Sequence, residues 1–163
     1  MVEQILQAGD PRLTANNHDL DFTKDMPLIQ SVLNRMVSVM QYYQCVGLAA
    51  PQIGENINLF ITEIRATKYR TDLKEIDPFR VYINSKITYY SAETVVMTEG
   101  CGSVNHSLTR LDISRPKDII VVAYGLDGNQ FKIHAYDLLA RVILHEHDHI
   151  LGKLMTSYPI ASK

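Results

Sequence analysis

Five consecutive polar residues, His145 to His149, interrupt the apolar stretch LLARVILHEHDHILGKL at residues 138–154. His145 and His149 are four residues apart, so on a helix they lie on the same face and can bind one metal ion. Glu146 lies about 100° further around such a helix, where it can act as a base toward a water molecule beside the ion. The same spacing occurs in zinc hydrolases, and it predicts a buried helix that carries a metal site.

This short pattern also fits a helix with a solvated polar patch and no metal. His147 would point away from the two candidate ligands, and we interpret it as a bystander. Asp148 can orient a histidine or cap nearby backbone, and we expect a structural role for it. A second signal is needed to decide between a metal site and a polar patch.

A catalytic metal ion needs a third protein ligand and one position left open for water. The candidates are Cys101, His106, His134 and several acidic residues. Cys101 stands out because two glycines flank it in TEGCGSV and allow close backbone approach, while its thiolate is a soft, charged donor. The alternative is a small buried side chain, which is the commoner environment of a free cysteine.

The length of 163 residues is typical of one domain, and we expect residues 1–163 to form it. Hydrophobic residues make up 46% and charged residues 21% of the chain, which argues against disorder. The net charge of −2 does not indicate a nucleic-acid partner, and no apolar run reaches the length of a membrane span. The start MVEQILQAGDPRL has no signal-peptide pattern, so we expect a cytoplasmic location.

The order of the predicted elements indicates an α+β fold. Residues 26–43 carry an apolar stripe at helical spacing, which Thr23 or Asp25 could cap. The segment CVGLAAPQIGEN predicts a loop or turn, and strands are expected at INLFITEI and FRVYINSKITYY. The segments IIVVAYGL and NQFKIHAY flank Asp127 and Gly128, a strong signal for a β-hairpin.

The stretch with the metal motif is predicted to form the last helix. Asp137 is expected to cap its start, and Gly152 lies near its end. We therefore expect an N-terminal helix, antiparallel or mixed β-sheets, and a central C-terminal helix that carries the metal motif.

Three segments together resemble the three motifs of peptide deformylases: VGLAAPQ at 46–52, EGCGS at 99–103 and HEHDH at 145–149. Their order and spacing also fit, and the similarity extends to ILQAGDPRL, YIN and LDG, so it covers essentially the whole chain. Three linked motifs are far more specific than one. The resemblance implies a metal-dependent hydrolase that removes the N-formyl group from the initiator methionine of newly made polypeptides and releases formate.

The resemblance also implies roles for individual residues. The implied metal ligands are Cys101, His145 and His149. Glu146 is the implied general acid and base, while Gln52 and the backbone N–H of Gly102 are implied to stabilise the oxyanion. The family commonly uses ferrous iron and tolerates zinc, nickel or cobalt, so one divalent ion is expected, with Fe²⁺ first. The implied partners are N-formylmethionyl peptides of nascent chains, together with transient ribosome contact; no nucleic-acid motif and no membrane partner are expected.

The resemblance places the substrate peptide beside Val46 and Gly47 of the first motif. It implies an apolar pocket for the methionine side chain, lined by Leu138, Arg141 and Val142. We expect the aliphatic stem of Arg141 to line this pocket while its charged head reaches solvent. Arg110 aligns with a family arginine near the pocket if the segment after the second motif carries a short insertion. Ordinary helix packing and a surface charge are the alternative interpretations.

Four positions depart from the family pattern. Glycine, a larger apolar residue, proline and glutamine are usual at the places of Cys45, Gly102, Asn105 and Leu144. None of these changes removes a ligand or the base, so we expect a divergent deformylase with slower turnover or an altered side-chain preference. One alternative is a zincin-type protease, which the cysteine ligand and the EGC segment disfavour. Another is a deformylase-like metal-binding protein with weak or altered activity.

Overall fold

The computed structural model describes residues 2–162, and within them two α-helices are combined with seven β-strands. The helices are α1 (Met26–Tyr43) and α2 (Asp137–Ile150). The strands are β1 (Gly47–Ala49), β2 (Leu59–Ile64), β3 (Asp77–Tyr90), β4 (Thr94–Gly100), β5 (Arg110–Pro116), β6 (Asp118–Tyr124) and β7 (Gln130–Tyr136). The expected α+β fold is confirmed. Neither helix in this part of the chain is long and apolar enough to cross a bilayer.

Helix α1 forms because its apolar residues recur at helical spacing and give one buried face. That face consists of Ile29, Val32, Leu33, Met36, Val39 and Met40. Asp25 precedes the helix, but neither it nor Thr23 caps α1 through its side chain. The Asp25 carboxylate instead accepts a hydrogen bond from the backbone N–H of Asp21 at 2.8 Å, so the expected side-chain cap is wrong.

The strands form two antiparallel sheets rather than a mixed one. Five strands are ordered β1-β2-β3-β6-β7, and within residues 2–162 β4 pairs only with β5. The predicted hairpin at Asp127 and Gly128 joins β6 to β7, and Gly128 takes the positive φ of 73° that its turn requires. Strand β1 lies in the segment predicted as a loop, because its three residues pair with β2 before the chain turns at Ala50–Ile53.

The five-stranded sheet separates two hydrophobic clusters because side chains alternate between its faces. Leu59 and Ile61 pack with α1, whereas Phe60 between them packs with residues of α2. The Phe60 ring stacks on that of Tyr82 with centroids 4.4 Å apart. Helix α2 thus lies against β1, β2 and β7 and also contacts β5 of the second sheet, as expected for a central helix.

Helix α2 follows β7 without a loop, and this connection changes the expected cap. Tyr136 occupies the cap position, while Asp137 is already the first helical residue, with a φ of 45°. The backbone N–H of Asp137 donates to the carbonyl of Lys117 at 3.0 Å, and no side chain caps the helix. Gly152 follows the helix with a φ of 70°, as its predicted place near the end requires.

Candidate metal centre and active site

Three side chains from distant parts of the sequence meet beside helix α2. The potential ligand atoms of Cys101, His145 and His149 all lie within 4.8 Å of one another. The Sγ of Cys101 is 3.4 Å from Nε2 of His149. Sulfur and nitrogen ligands about 2.3 and 2.1 Å from one tetrahedral ion are roughly 3.6 Å apart. The arrangement therefore fits a single ion with three protein ligands.

The secondary structure explains why these three side chains converge. His145 and His149 lie one turn apart on α2, and their ring centroids are 5.2 Å apart. Cys101 follows directly after β4, where the chain leaves the two-stranded sheet. Burial favours the neutral thiol, but the neighbouring His145 and His149 outweigh it and hold the pKa of Cys101 well below its ordinary value. A thiolate is the form of cysteine that binds metals.

Glu99 fixes the orientation of the first histidine. Its Oε2 accepts a hydrogen bond from Nδ1 of His145 at 2.9 Å, which leaves Nε2 of that ring for a metal ion. Burial alone would raise the pKa of Glu99, but hydrogen bonds from His145 and Arg115 hold it well below its usual range. This role of Glu99 was not predicted from the sequence. The available signal was the spacing: Glu99 stands two residues before Cys101, so both side chains leave the strand end on one side.

A buried ionic network extends from Glu99 away from the candidate metal centre. Arg115 donates to both oxygens of Glu99, from Nε at 2.6 Å and from Nη2 at 3.0 Å. Its Nη1 donates to Asp148 at 2.6 Å, and its guanidinium lies 4.4 Å from the ring centre of Tyr158. The hydroxyl of Tyr158 donates to Asp148 at 3.0 Å. Asp148 therefore has the structural role expected for it, although the residue that orients a ligand is Glu99.

His147 and the two other candidate histidines, His106 and His134, lie outside the cluster. His147 is buried on another side of α2, where its Nδ1 is 3.0 Å from the hydroxyl of Ser85. Burial lowers the pKa of His147. His134 on β7 bonds to Asp118 at 2.6 Å, and His106 lies in the turn after Val104. The interpretation of His147 as a bystander agrees with this geometry.

Glu146 points into the same pocket, and one of its oxygens is unpaired. Its Oε2 is buried and has no hydrogen-bond partner among residues 2–162. Burial raises the pKa of Glu146 to about 7. A methyl group built on Gly47 would lie 2.4 Å from Oε1 of Glu146, so the backbone of β1 packs directly against the carboxylate. A buried carboxyl group with a pKa near neutrality is suited to take up and release a proton.

Gln52 lies beside the cysteine and is held in place at both ends of its amide. Its Oε1 accepts a hydrogen bond from the backbone N–H of Ala49 at 2.9 Å. Its Nε2 donates to the hydroxyl of Ser103 at 3.2 Å and lies 3.8 Å from Sγ of Cys101. This fixed amide therefore presents an N–H donor at the candidate metal centre. Gly102 also lines the pocket, and its carbonyl accepts a hydrogen bond from Gln7.

All of the residues predicted to contact substrate line one pocket that opens from this centre. They are Val46, Gly47, Arg110, Leu138, Arg141 and Val142. The head of Arg141 does not reach solvent, and the residue is only 5% exposed. Its guanidinium instead donates to Glu99 at 2.7 Å, to the carbonyl of Ile113 at 2.9 Å and to that of Val95 at 2.6 Å. The expectation of a solvent-exposed head is wrong because three acceptors, two of them in buried contacts, lie within its reach.

The pocket also contains residues outside the predicted substrate contacts. Cys45 lines it, and burial raises the pKa of its thiol to about 12. Thr67, Tyr69 and Arg70 line it from the loop between β2 and β3. Their sequence carries only the composition of a polar loop, so nothing in the pattern indicated that this loop folds toward the active site.

Comparison with known proteins identifies the family. The model of the polypeptide deformylase family matches residues 2–162. The peptide deformylase of Christiangramia forsetii is 33% identical over 162 residues, covering 96% of this chain and 81% of that relative. The peptide deformylase of Acinetobacter baumannii strain SDF is 34% identical over 154 residues, with 94% and 81% covered.

Solved structures agree with this match. A probable peptide deformylase from Synechococcus phage S-SSM7 is 30% identical, with a TM-score of 0.82 over 96% of this chain and 99% of that one. A class I type b peptide deformylase from Acinetobacter baumannii, solved with Met-Ala-Ser bound, has a TM-score of 0.90 at 23% identity. That alignment covers 98% of this chain and 99% of the other and supports the fold. Sequence and structure together show that this chain belongs to the polypeptide deformylase family.

Proposed function

We propose that Glu146 and the cluster of Cys101, His145 and His149 carry out the reaction of this deformylase, the removal of the N-formyl group from nascent peptides. One observation carries the assignment: a buried carboxylate with an unpaired oxygen lies beside three side chains that can hold one ion. The zincin-type protease is disfavoured because one of the three candidate ligands is a cysteine that follows β4.

Cys101, His145 and His149 would hold the metal ion, and Glu99 would keep the ring of His145 in its binding orientation. When bound, a divalent ion supplies a nucleophile at neutral pH, because it lowers the pKa of a water molecule to about 7, and it polarises the formyl carbonyl. One sulfur and two imidazole donors suit several such ions. We propose ferrous iron as the native ion, with zinc, nickel or cobalt as working substitutes.

Glu146 takes a proton from the attacking water and passes it to the nitrogen of the departing amine. Its position supports this role because the carboxylate is buried beside the three candidate ligands and has an unpaired oxygen. The Nε2 of Gln52 and the backbone N–H of Gly102 donate to the negative charge that develops on the formyl oxygen. Gln52 is well prepared for this task because Ala49 and Ser103 already fix its amide.

The peptide enters along the edge of β1 that faces away from β2, where no other strand of the described residues 2–162 pairs with it. Edge strands offer unpaired backbone groups that an extended peptide can bond, and Val46 and Gly47 lie at this edge. The methionine side chain fits between Leu138, Val142 and the stem of Arg141. Because the guanidinium of Arg141 is occupied by three acceptors, the part that faces the methionine is hydrocarbon.

The test is an anaerobic preparation in which metal content is measured and formate release from a formyl-Met peptide is followed beside casein cleavage. We expect formate without proteolysis. The Glu146→Ala protein should keep its metal and lose nearly all turnover. Casein cleavage would support the protease instead, and metal-loaded Glu146→Ala protein with normal turnover would exclude Glu146 as the proton carrier.

The native ion, the location and the contact with the ribosome are proposed from the function. Activity that is lost in air or peroxide and protected by nickel exchange would support iron. We propose the cytoplasm as the compartment and the ribosome as a transient partner, because formylated chains emerge there. Co-sedimentation with translating ribosomes at low salt would support the contact, and its absence under these conditions would contradict it.

A further inference from the structure

Three positively charged side chains gather at the mouth of the substrate pocket. The Nζ of Lys68 lies 4.8 Å from the ring centre of Tyr69, and Cζ of Arg110 lies 5.9 Å from the same centre. Arg70 follows Tyr69 and lines the pocket with it. Two cations thus lie near the ring of Tyr69, a contact that aromatic faces favour.

The turn that carries these residues is fixed by its own hydrogen bonds. The backbone N–H of Thr67 donates to the carbonyl of Arg70 at 3.0 Å, and that of Arg70 donates back at 3.1 Å. Thr67 is buried, and its hydroxyl accepts from the backbone N–H of Tyr69 at 3.2 Å. Lys68, Tyr69 and Arg70 therefore extend from an anchored turn.

No carboxylate of residues 2–162 neutralises these cations through an ion pair. Arg110 donates only to the backbone carbonyls of Ser107 and Thr109, and no ion pair involves Lys68 or Arg70. The acidic residues that line the pocket are Glu99 and Glu146, and both are buried at its inner end. Asp112 accepts a hydrogen bond from the pocket-lining Thr98, so one carboxylate also lies near the mouth, where the three cations outnumber it. The mouth therefore has an excess of positive charge although the whole chain has a net charge of −2.

Burial shows which part of a substrate meets this charge. The inner end holds Cys101 and Glu146, which are 2% and 5% exposed, whereas Tyr69 is 56% exposed. The formyl group must reach the inner end, and the methionine side chain fills the adjoining pocket. The residues that follow the methionine consequently pass the mouth on their way to solvent.

We propose that Lys68, Arg70 and Arg110 make this enzyme select nascent chains with an acidic residue at the second or third position. The proposal rests on the proposed function, because it uses the same pocket and the same direction of the peptide. Exposed ion pairs contribute little individually, and together they predict a preference of about five-fold in kcat/KM at low ionic strength. The preference acts on binding, so it appears in KM rather than in kcat.

The test compares amidated peptides that differ by one isosteric group, formyl-Met-Ala-Asp with formyl-Met-Ala-Asn and formyl-Met-Asp-Ala with formyl-Met-Asn-Ala. We expect the Asp peptide of at least one pair to be deformylated about five-fold more efficiently. The preference should nearly vanish in about 1 M salt, where charges are screened beyond roughly 3 Å. Deformylation of the Asn peptides reports on the proposed function independently of the charge preference.

For each variant, the readout is the kcat/KM for the Asp peptide divided by that for the Asn peptide, so general losses of activity cancel. The double change Lys68→Gln and Arg70→Gln should lower the ratio at least two-fold. Lys132→Gln, on the exposed side of β7, serves as the matched control and should leave the ratio unchanged. Equal rates for Asp and Asn peptides in the unchanged enzyme would overturn the proposal, as would a ratio that survives the double change.

Discussion

Replacing Glu99 by glutamine tests whether one buried carboxylate both stabilises the fold and prepares the metal centre. Glu99 accepts four hydrogen bonds, two from Arg115, one from Arg141 and one from His145. Glutamine has nearly the same shape but carries an NH₂ group in place of one oxygen. That group would face either the two guanidinium donors at Oε1 or the His145 and Arg115 donors at Oε2. Either orientation removes two acceptor contacts and the charge.

The expected loss of stability follows from the charge on the groups whose hydrogen bonds are lost. A hydrogen bond to a charged group contributes about 1.5–3 kcal/mol, so two of them give roughly 3–6 kcal/mol. Breaking a buried ion pair by changing one partner costs about 3–5 kcal/mol, which agrees with this range. We therefore expect Glu99→Gln to lower the free energy of unfolding by about 4 kcal/mol. Loss of the partner that orients a metal-binding histidine should also weaken metal affinity by roughly 10- to 100-fold.

Urea unfolding of the metal-free protein and chelator competition of the loaded protein measure the two effects separately. Glu93→Gln is the matched control, because Glu93 pairs with Lys117 on the surface at 3.0 Å and should change stability by less than about 1 kcal/mol. A Glu99→Gln protein within about 1 kcal/mol of the parent, with unchanged metal affinity, would refute the reasoning.

The pH dependence of this contribution has a defined sign. The pKa of Glu99 lies below its ordinary value of 4.5 in the folded protein, so its stabilisation is complete above that value and is lost as the pH falls further. The Glu99→Gln protein should therefore lose less stability on acidification than the parent. Urea midpoints measured between pH 7 and pH 3 check this, and parallel curves would contradict it.

Three further changes test the active site. In metal-free protein, burial raises the pKa of Glu146 from 4.5 to about 7, so the free energy of unfolding falls as the pH rises through this window. Urea unfolding should therefore show Glu146→Gln to be more stable than the parent by up to about 3 kcal/mol at pH 8, with little difference near pH 4. Gly47→Ala places a methyl group against Glu146 and should reduce kcat about 100-fold while metal content stays constant. Gln52→Leu removes one donor and should reduce kcat by about 10²–10³ with the metal retained, whereas a loss of metal would assign Gln52 a structural role.

Local spacing explains what could be predicted from the sequence. His145 and His149 converge because any helix places residues four apart on one face, and the hairpin at Gly128 follows from its turn residues. The structure brings Cys101 to them as expected, although their roles as ligands stay proposals. Cys101 was already a candidate because glycines flank it, and the resemblance assigned roles to it and to Gln52. No local pattern could have joined either residue to α2.

The missed features depend on contacts between elements that are distant in sequence. The β4–β5 hairpin was not predicted, since the sequence TVVMTEG does not alternate apolar and polar residues, although burial alternates along the strand. The head of Arg141 turns inward because Glu99 and two backbone carbonyls lie within reach, and no sequence pattern encodes those acceptors. The position of Tyr69 depends on where the β2–β3 loop folds, which is also a tertiary property.

Because the candidate ligands come from separate parts of the fold, metal supply should affect the fraction of the protein that is folded. No strand pairing within residues 2–162 joins the β4–β5 hairpin to the five-stranded sheet. Of the candidate ligands, Cys101 follows β4, whereas His145 and His149 lie on α2, which packs against the five-stranded sheet. An ion that binds only the native arrangement shifts the unfolding equilibrium by mass action, by about 4 kcal/mol when its free concentration is 1,000 times its Kd. Cells short of the ion would thus hold less of the folded enzyme, and proteases would degrade the unfolded chains.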